Sequence, residues 1–554
     1  MGWAAPSDAA STNSADRQAF YDRLAYLLFF AVFLLALATF TDYGTTWDED
    51  YHFWYGFKVL DYYRSFFHDT TALTSPPIDY YGAMFDATTA LLAPYSPFGF
   101  YTTRHLLNAL VGLVGIVGCW KLARELGGPR IGLWAAILLL LTPNFYGHIF
   151  NNPKDVPFAA GYAWSLYYLV RLIPALPRPK RSEVLKLGLA IGLTLGVRVG
   201  GLLLLCYLGM VLAAAPGLKA WRARKPGLAV SELLIEAGQV LAPVLVISYA
   251  IMLLAWPWAQ VDPLWRPISA IIQFDHHDFP YPTLFDGAYI PAPLLPRIYL
   301  PVFLLIQLPE LFLLLLFGGL GWALLRLWRD HPPLERLLVP ALVIFAAIFP
   351  IAYAVESHAT LFDGMRHFLF VEPPLACCAA FAFDAAIERL RSSRCAFAAA
   401  TAALALYLGY HVSLMAALHP DEYVYYNALV GGVPGAAGRF KLDYWANSYR
   451  EATDDLVSFL KARDGKRFSH KHYRVAACGP PGSIMPYLPA NLRYEADRKK
   501  ADFYVSFTKD GCDKEMRGRK IAEVARLGTR LSVVLDLRPV DLAKGGAPIT
   551  ASQR

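Results

Sequence analysis

Charged residues are scarce in this chain of 554 residues: Asp, Glu, Lys and Arg make up 17%, against 56% hydrophobic residues. So little polar surface cannot cover several long apolar segments, which excludes a soluble globular protein. Internal repeats and low-complexity regions are also lacking in the sequence. The composition therefore indicates a polytopic membrane protein.

Cysteine is too sparsely placed to indicate a metal site, because the seven cysteines show no metal-ligand spacing. Five lie in or beside apolar segments, where cysteine packs as a small apolar side chain. These five are Cys119, Cys206, Cys377, Cys378 and Cys395. Only Cys478 and Cys512 lie in a polar segment, and they are candidates for a disulfide if that segment is outside the cytoplasm. Their spacing alone does not decide whether they pair.

The net charge of +7 is not concentrated in one basic patch. The basic residues form short clusters between apolar segments: "PRPKR" at 177–181, "WRARK" at 221–225, "RLWR" at 326–329 and "RLRSSR" at 389–394. Such clusters are typical of cytoplasmic loops that fix the orientation of a membrane protein. No nucleic-acid partner is therefore predicted.

Eleven apolar windows are long enough for membrane-spanning helices. They cover residues 24–40, 106–124, 130–147, 156–174, 184–197, 199–215, 238–258, 299–327, 336–354, 367–386 and 396–415. Placing every basic cluster in the cytoplasm requires the N-terminus inside and the C-terminus outside. This predicts a cytoplasmic segment at 1–23, a transmembrane domain over 24–418 and outer loops at 41–105, 148–155, 259–298 and 355–366.

The tail at 419–554 is predicted to be a small extracytoplasmic domain. From residue 440 onward, helix-like "DDLVSFLKARDG" is followed by strand-like "YRVAAC", "ADFYVSF" and "RLSVVLDL". The predicted fold class is therefore an all-α polytopic membrane protein of about eleven transmembrane helices, with a C-terminal α/β domain.

Carboxylates cluster in the first predicted outer loop, where "TTWDEDYHFWYG" places Asp48, Glu49 and Asp50 side by side, followed by His52. Carboxylates that share a site raise the pKa of at least one of them, which suits a general base. Acids after Thr-Thr-Trp are equally typical of a helix cap, and the aromatic residues favour an interfacial helix. The motif alone leaves both interpretations open.

A second polar motif, "HIFNNPKDVPF", begins at His148 and lies on the same predicted face. It brings Asn152, Lys154 and Asp155 into a short turn between two predicted spans. A lone Asp in such a turn is most often a helix cap. A second acid on the face that already carries Asp48 favours a functional site instead.

Cations also occur on this face, against the inside-positive trend. They are Arg104, Arg198 and Arg366, the last followed by His367. Each arginine alone fits a snorkelling anchor. Guanidinium groups match the forked geometry of phosphate oxygens, so three of them with two acid sites predict a phosphate-bearing substrate.

The order of these motifs resembles that of the GT-C glycosyltransferases, most closely the family 39 type that includes protein O-mannosyltransferases and lipid A aminoarabinose transferases. The resemblance covers roughly 20–415 and is carried by "WDEDYHFWYG", "RHLLNALVG", "NNPKDVPF" and "RHFLFVEPPLA". Two further stretches, "FPYPTLFDGAYIPAPLLPRIYLPV" and "HPDEYVYYNALVGGVPGAAGRFKLDYWANSYREA", are similar to bacterial members of unassigned specificity.

The resemblance implies an inverting glycosyltransferase of the bacterial inner membrane with its active site on the periplasmic side. The donor would be a polyprenyl-phosphate-linked sugar, and the acceptor a hydroxyl of a glycan, lipid or protein. By position, Asp48 and its neighbour Glu49 correspond to the catalytic acid site of the first loop, and Asp155 to the acid of the second. Asp48 is the expected general base, with a pKa poised by Glu49 and Asp155.

The remaining site residues follow from the same positions. The donor phosphate is expected at Arg104, Arg198, Arg366 and Lys154, with His52, His148, Asn152 and His367 as further candidates. No cofactor is predicted; the number of acids is compatible with a divalent metal, but none is expected.

Three alternatives stay open. A secondary transporter or lipid flippase would use buried charges as a relay and would show inverted repeats and charges at mid-membrane. A ligase would use a lipid-diphosphate donor at a similar site. A non-catalytic assembly subunit would work through its tail and would not need Asp48.

Overall fold

The computed structural model describes residues 8–224, 226–275 and 281–539, which form twenty α-helices and seven strands. The helices are α1 Asp8–Thr39, α2 Trp47–Arg64, α3 Met84–Leu92, α4 Phe100–Gly127, α5 Pro129–Leu140, α6 Pro143–Asn151, α7 Asp155–Leu172, α8 Arg181–Leu195, α9 Leu202–Ala223, α10 Pro226–Glu236, α11 Ala242–Ala255, α12 Pro257–Val261, α13 Trp265–Asp275, α14 Tyr299–Gln307, α15 Glu310–Asp330, α16 Leu334–Glu356, α17 Glu372–Leu390, α18 Arg394–Leu418, α19 Gly432–Ala436 and α20 Tyr449–Asp464. The strands are β1 Pro282–Phe285, β2 Ala288–Pro291, β3 Tyr473–Ala477, β4 Leu492–Tyr494, β5 Phe503–Phe507, β6 Arg519–Arg526 and β7 Thr529–Asp536.

Eight helical segments of the described chain are long and apolar enough to cross a bilayer, or nine if the bent pair α5 and α6 is one span. They are Gln18–Thr39, Phe100–Gly127, Val199–Arg222, Val230–Ala255, Glu310–Asp330, Arg336–Glu356, Arg366–Leu390 and Arg394–Leu418. The predicted helical membrane architecture is confirmed, and the chain is an integral membrane protein. The predicted number of eleven spans is not confirmed.

Three predicted windows have no counterpart among the eight segments, or two if the bent pair α5 and α6, which corresponds to the window 130–147, is one span. The window 184–197 corresponds to α8, whose 15 residues would be about 22 Å long, short of the roughly 30 Å of a hydrocarbon core. The window 156–174 corresponds to α7, which carries Asp155, Arg171 and three tyrosines and is not among the apolar segments. The window 299–327 keeps its span in α15 but is divided from α14 near Pro309, because proline disfavours helix at the residue before it.

Glycines on α4 allow α6 and α7 to approach it closely. A Cβ placed on Gly115 would lie 3.2 Å from the Cα of Ala160, and one placed on Gly118 would lie 2.9 Å from the ring of Trp164. Gly112 makes a similar close contact with α6. Small residues permit such backbone approach in membrane proteins. The packing fixes the start of α7, which carries Asp155, beside α4.

The C-terminal residues form the predicted α/β domain. Its five-stranded sheet has the order β4-β3-β5-β7-β6, with β3 parallel to β4 and β5, and with β7 antiparallel to β5 and β6. The amphipathic α20 packs on this sheet and shares its apolar core. The sequence predicted α20, β3, β5 and β7 but not β4 or β6, since β4 is three residues long and β6 is rich in charge.

A disulfide joins Cys478, just after β3, to Cys512, with their Cα atoms 6.1 Å apart. Cys512 lies in a 3-10 turn, Lys509–Lys514, that follows β5. The candidate pair is therefore bonded in the structure. The bond ties this turn to the sheet.

The segment between α18 and α20 links the two domains. Tyr423, Tyr426 and Trp445 are buried in the same apolar core as the membrane helices. The core of the C-terminal sheet begins with Ala446 and Tyr449. The linking segment therefore carries residues from the C-terminal half of the chain into the end of the helix bundle where α2 and α7 begin.

Candidate active site

The three acids at the start of α2 do not act as one cluster, because successive helix residues point in different directions. Glu49 accepts a hydrogen bond from the backbone N–H of Thr46 at 2.8 Å and pairs with His105 at 3.1 Å. Asp50 accepts a hydrogen bond from the hydroxyl of Tyr101 at 2.5 Å. The capping interpretation of the motif therefore applies to Glu49.

Asp48 faces a different set of partners. Its carboxylate lies 2.7 Å from the ammonium of Lys154 and 3.4 Å from Nη1 of Arg366. The same Nη1 lies 3.4 Å from the carboxylate of Asp155, which also accepts a hydrogen bond from Arg198. These two carboxylates and three cations form one network, here called the bridging cluster: Asp48, Lys154, Asp155, Arg198 and Arg366.

The turn before α7 orients Asp155. The side-chain oxygen of Asn152 accepts a hydrogen bond from the backbone N–H of Asp155 at 2.9 Å, and its amide donates to the carboxylate of Asp155 at 2.9 Å. Asn152 thus closes the turn as Asn side chains commonly do. The predicted candidate Asn152 is therefore in contact with the bridging cluster.

Cations control the charge of Asp48. Burial raises the pKa of Asp48, but Lys154 and Arg366 outweigh burial and hold the pKa well below its usual range. The structure therefore contradicts the expected poised pKa, because Glu49 faces away from Asp48 and the cations are the nearer charges. Asp48 is 23% exposed, whereas Asp155 is 1% exposed, so Asp48 is the carboxylate that a substrate can reach.

The cations of the bridging cluster make cation–π contacts with two aromatic rings. The guanidinium of Arg366 lies 4.8 Å from the ring centre of Trp445. The ring of Tyr81 lies 5.1 Å from the ammonium of Lys154 and 5.5 Å from the guanidinium of Arg198. Such contacts stabilise a cation without neutralising it. Neither Tyr81 nor Trp445 was predicted as a site residue from the sequence.

Arg104 and His52 belong to a neighbouring group rather than to the bridging cluster. Both bind the buried carboxylate of Asp86 in α3, Arg104 at 2.9 Å and His52 at 2.7 Å. Arg104 also donates to the hydroxyl of Thr89 at 2.7 Å. The expected convergence of three arginines is therefore met by Arg198 and Arg366 but not by Arg104, because Asp86 binds its guanidinium.

The two remaining histidine candidates lie near the bridging cluster with partners of their own. His148 is fully buried, and its Nε2 lies 3.0 Å from the hydroxyl of Tyr444. The ring of His367 packs edge-on against Phe362 with ring centres 4.7 Å apart. Both histidines stay candidates for substrate contacts.

The described residues offer one group of three His, Cys, Asp or Glu side chains close enough to share a metal: Cys478, Cys512 and Glu515. Its two sulfurs are joined in the disulfide, so they are not available as thiolate ligands. The bridging cluster pairs its carboxylates with cations instead. That the protein needs no metal stays a prediction.

Comparisons with known proteins bear on the class of this fold. Residues 98–247 match the family described as dolichyl-phosphate-mannose-protein mannosyltransferase. The structure is similar to that of ArnT from Cupriavidus metallidurans bound to undecaprenyl phosphate, with 14% identity, a TM-score of 0.51, and coverage of 93% of this chain and 98% of that one. The oligosaccharyltransferase AglB from Archaeoglobus fulgidus, in complex with an inhibitory peptide and a dolichol-phosphate, has 12% identity, a TM-score of 0.45, and coverage of 88% and 70%. No curated protein matches the chain.

The protein therefore has the GT-C fold of membrane glycosyltransferases, as its motifs predicted.

Asp50 tests whether position within the acid motif matters. Its substitution Asp50→Asn should leave turnover within about threefold of wild type, less than a 1 kcal/mol change in barrier, because an amide oxygen also accepts the hydrogen bond from Tyr101. Initial rates of the two purified proteins check this. A loss of 100-fold or more would show that Asp50 belongs to the catalytic machinery.

Proposed function

We propose that the protein is a membrane glycosyltransferase that transfers a sugar from a polyprenyl-phosphate donor to an acceptor hydroxyl, with inversion at the anomeric carbon. The observation that carries the proposal is the bridging cluster, in which a reachable carboxylate, Asp48, is held by two cations suited to phosphate, Lys154 and Arg366. The undecaprenyl phosphate bound by ArnT and the lipid phosphate in the description of the matching family support the donor class.

Donor binding changes the partners of the cations. The phosphate of the donor binds Lys154, Arg198 and Arg366, whose charges already converge on two carboxylates. As Lys154 and Arg366 turn to the phosphate, Asp48 loses the contacts that hold its pKa low. The pKa of Asp48 then rises towards the ordinary range of a carboxylate, and its basicity increases only when the donor is present.

The transfer step needs one base and one set of charge-stabilising groups. Asp48 accepts the proton of the acceptor hydroxyl while the acceptor oxygen forms a bond to the anomeric carbon. The bond from that carbon to the phosphate oxygen breaks on the opposite face, and its electron pair stays on the phosphate. Lys154, Arg198 and Arg366 stabilise the charge that develops on the departing polyprenyl phosphate.

The site is assigned to the periplasmic side of a bacterial inner membrane. The basic clusters at 221–225, 326–329 and 389–394 support this orientation, because all of them lie at the far ends of helices from the bridging cluster in the predicted topology. The disulfide in the C-terminal domain also supports it, since such bonds persist outside the cytoplasm.

The orientation predicts where the C-terminus lies. A reporter that is active only in the cytoplasm should be silent when fused after Arg554 and active when fused after Pro333, between α15 and α16. Reporter activity in intact cells, normalised to the amount of fusion protein, measures both. An active fusion at Arg554 would contradict the predicted topology.

Donor class can be tested on the purified protein in lipid nanodiscs. Sugars linked to undecaprenyl monophosphate and to undecaprenyl diphosphate are supplied in parallel, with a membrane extract as the source of acceptor. We expect release of undecaprenyl phosphate from the first donor and no transfer from the second. Transfer from the diphosphate-linked sugar alone would instead identify a ligase.

A further inference from the structure

A second charged group lies on the other side of Arg366 from Asp48. Nη2 of Arg366 is 3.7 Å from the carboxylate of Asp363, whereas its Nη1 faces Asp48. The ammonium of Lys441 lies 3.6 Å from the other oxygen of Asp363. Lys509 adds a third cation beside Asp363 and contributes to its depressed pKa, which burial would otherwise raise.

Lys441 is buried without a hydrogen-bond partner among the described residues. Its side chain is 4% exposed, and its nearest carboxylate oxygens, on Asp363 and Asp510, are 3.6 and 3.7 Å away. These distances are too long for direct hydrogen bonds. Burying an ammonium group without hydrogen bonds costs free energy. A bound anion that accepts hydrogen bonds from Lys441 would offset this cost.

Lys509 has a hydrogen bond and an aromatic contact, but no carboxylate within salt-bridge distance among the described residues. Its ammonium donates to the backbone carbonyl of Tyr444 at 3.2 Å and lies 4.2 Å from the ring centre of Trp47. Burial lowers the pKa of Lys509, and Asp363 opposes that effect. The disulfide to Cys512 fixes the turn that carries Lys509. Neither contact neutralises the ammonium charge.

A purely structural role would be to join the C-terminal domain to the helix bundle. Such a role would be served best by direct hydrogen bonds between Lys441 and Asp363, yet Oδ1 of Asp363 and Nζ of Lys441 both lack a hydrogen-bond partner among the described residues and lie 3.6 Å apart. Of the two carboxylates that face the lysines, Asp363 is buried but is also contacted by Arg366, and Asp510 is 32% exposed. The two lysines therefore have no buried carboxylate of their own among the described residues.

We propose that Lys441 and Lys509 form a second anion-binding subsite, which binds a phosphate or carboxylate group of the acceptor while the donor phosphate occupies the bridging cluster. The acceptor part of this assignment rests on the proposed function. Arg366 lies between the two subsites, with Nη1 towards Asp48 and Nη2 towards Asp363, so an anion bound at the lysines would hold the acceptor next to Asp48. The same chemistry would also fit the second phosphate of a lipid diphosphate.

The test uses the full chain in nanodiscs loaded with undecaprenyl phosphate, and inorganic phosphate as the probe. The midpoint of thermal unfolding is followed as phosphate is added at constant ionic strength. We expect a saturable rise in wild type. The apparent phosphate affinity should fall at least tenfold in Lys441→Met and in Lys509→Met, and should be unchanged in Lys514→Met, an exposed lysine of the same turn. Lys441→Arg keeps the positive charge and should keep phosphate binding. This result would show that Lys441→Met loses binding through its charge and not through misfolding.

Two further measurements separate the possible outcomes. Undecaprenyl phosphate should still bind to Lys441→Met and should bind more weakly to Lys154→Met. If wild type does not bind this lipid, the proposed function is wrong, and the binding of inorganic phosphate still tests the subsite. If Lys441→Met weakens binding of undecaprenyl diphosphate but not of inorganic phosphate to loaded protein, the acceptor assignment is overturned in favour of a diphosphate donor. The subsite itself is overturned if loaded wild type shows no saturable phosphate binding, or if Lys441→Met and Lys509→Met both bind phosphate as tightly as wild type does.

Discussion

Replacing Asp48 by Asn should lower turnover by about 10²- to 10⁴-fold, the usual contribution of a positioned general base. Asparagine keeps the shape of the side chain and removes the proton acceptor. It also releases Lys154 and Arg366 from a carboxylate, so the donor should bind at least as tightly as it does to wild type. The expected signature is a fall in kcat without a rise in the dissociation constant for the donor lipid.

Asp50→Asn is the matched control, because it makes the same chemical change two residues away on the same helix. Rates and donor affinities are measured on both variants, with unfolding midpoints to verify folding. An Asp48→Asn enzyme that turns over normally would exclude Asp48 as the base. The acid motif would then be a helix-capping feature, as Glu49 is.

Arg366→Lys should reduce kcat/KM by about 10- to 100-fold, which corresponds to the loss of one charge-assisted hydrogen bond of about 1.5–3 kcal/mol. The guanidinium of Arg366 contacts Asp48 and Asp155 through one nitrogen and Asp363 through another. An ammonium cannot make this fork of contacts. Donor affinity and turnover are measured across a range of donor concentrations.

Arg439→Lys provides the matched control for this substitution. Arg439 also binds a carboxylate with two nitrogens, but its partner Asp286 is exposed and lies on the β1–β2 hairpin. Exposed ion pairs contribute little, so this variant should keep wild-type activity. Equal losses in both variants would show that Arg366 has no special role in donor use.

The sequence was sufficient to predict the helical membrane domain, the C-terminal sheet domain and the proximity of two acid motifs. Hydrophobic windows and basic clusters report on membrane insertion directly, which is why the main spans agree. Asp48 and Asp155 were paired because both follow predicted spans on one face, and the structure brings both to Arg366. The predicted partners Lys154 and Arg198 also bind these two acids.

Other features depend on tertiary contacts that no local pattern carries. Arg104 was expected at the phosphate, but its buried partner is Asp86, a residue with no distinguishing motif. Trp445 reaches Arg366 only because the segment after α18 folds back into the helix bundle. The pKa of Asp48 depends on which neighbours are nearest in space, and these are cations rather than the adjacent acids in the chain.

Binding of a polyprenyl phosphate at the bridging cluster can be measured by mass spectrometry of the lipids that co-purify with the protein in mild detergent. We expect a polyprenyl monophosphate in wild type and in Asp48→Asn, and at least tenfold less of it in the double variant Lys154→Met with Arg198→Met. If wild type carries no polyprenyl phosphate, or if the double variant carries the same amount as wild type, the bridging cluster does not bind this lipid.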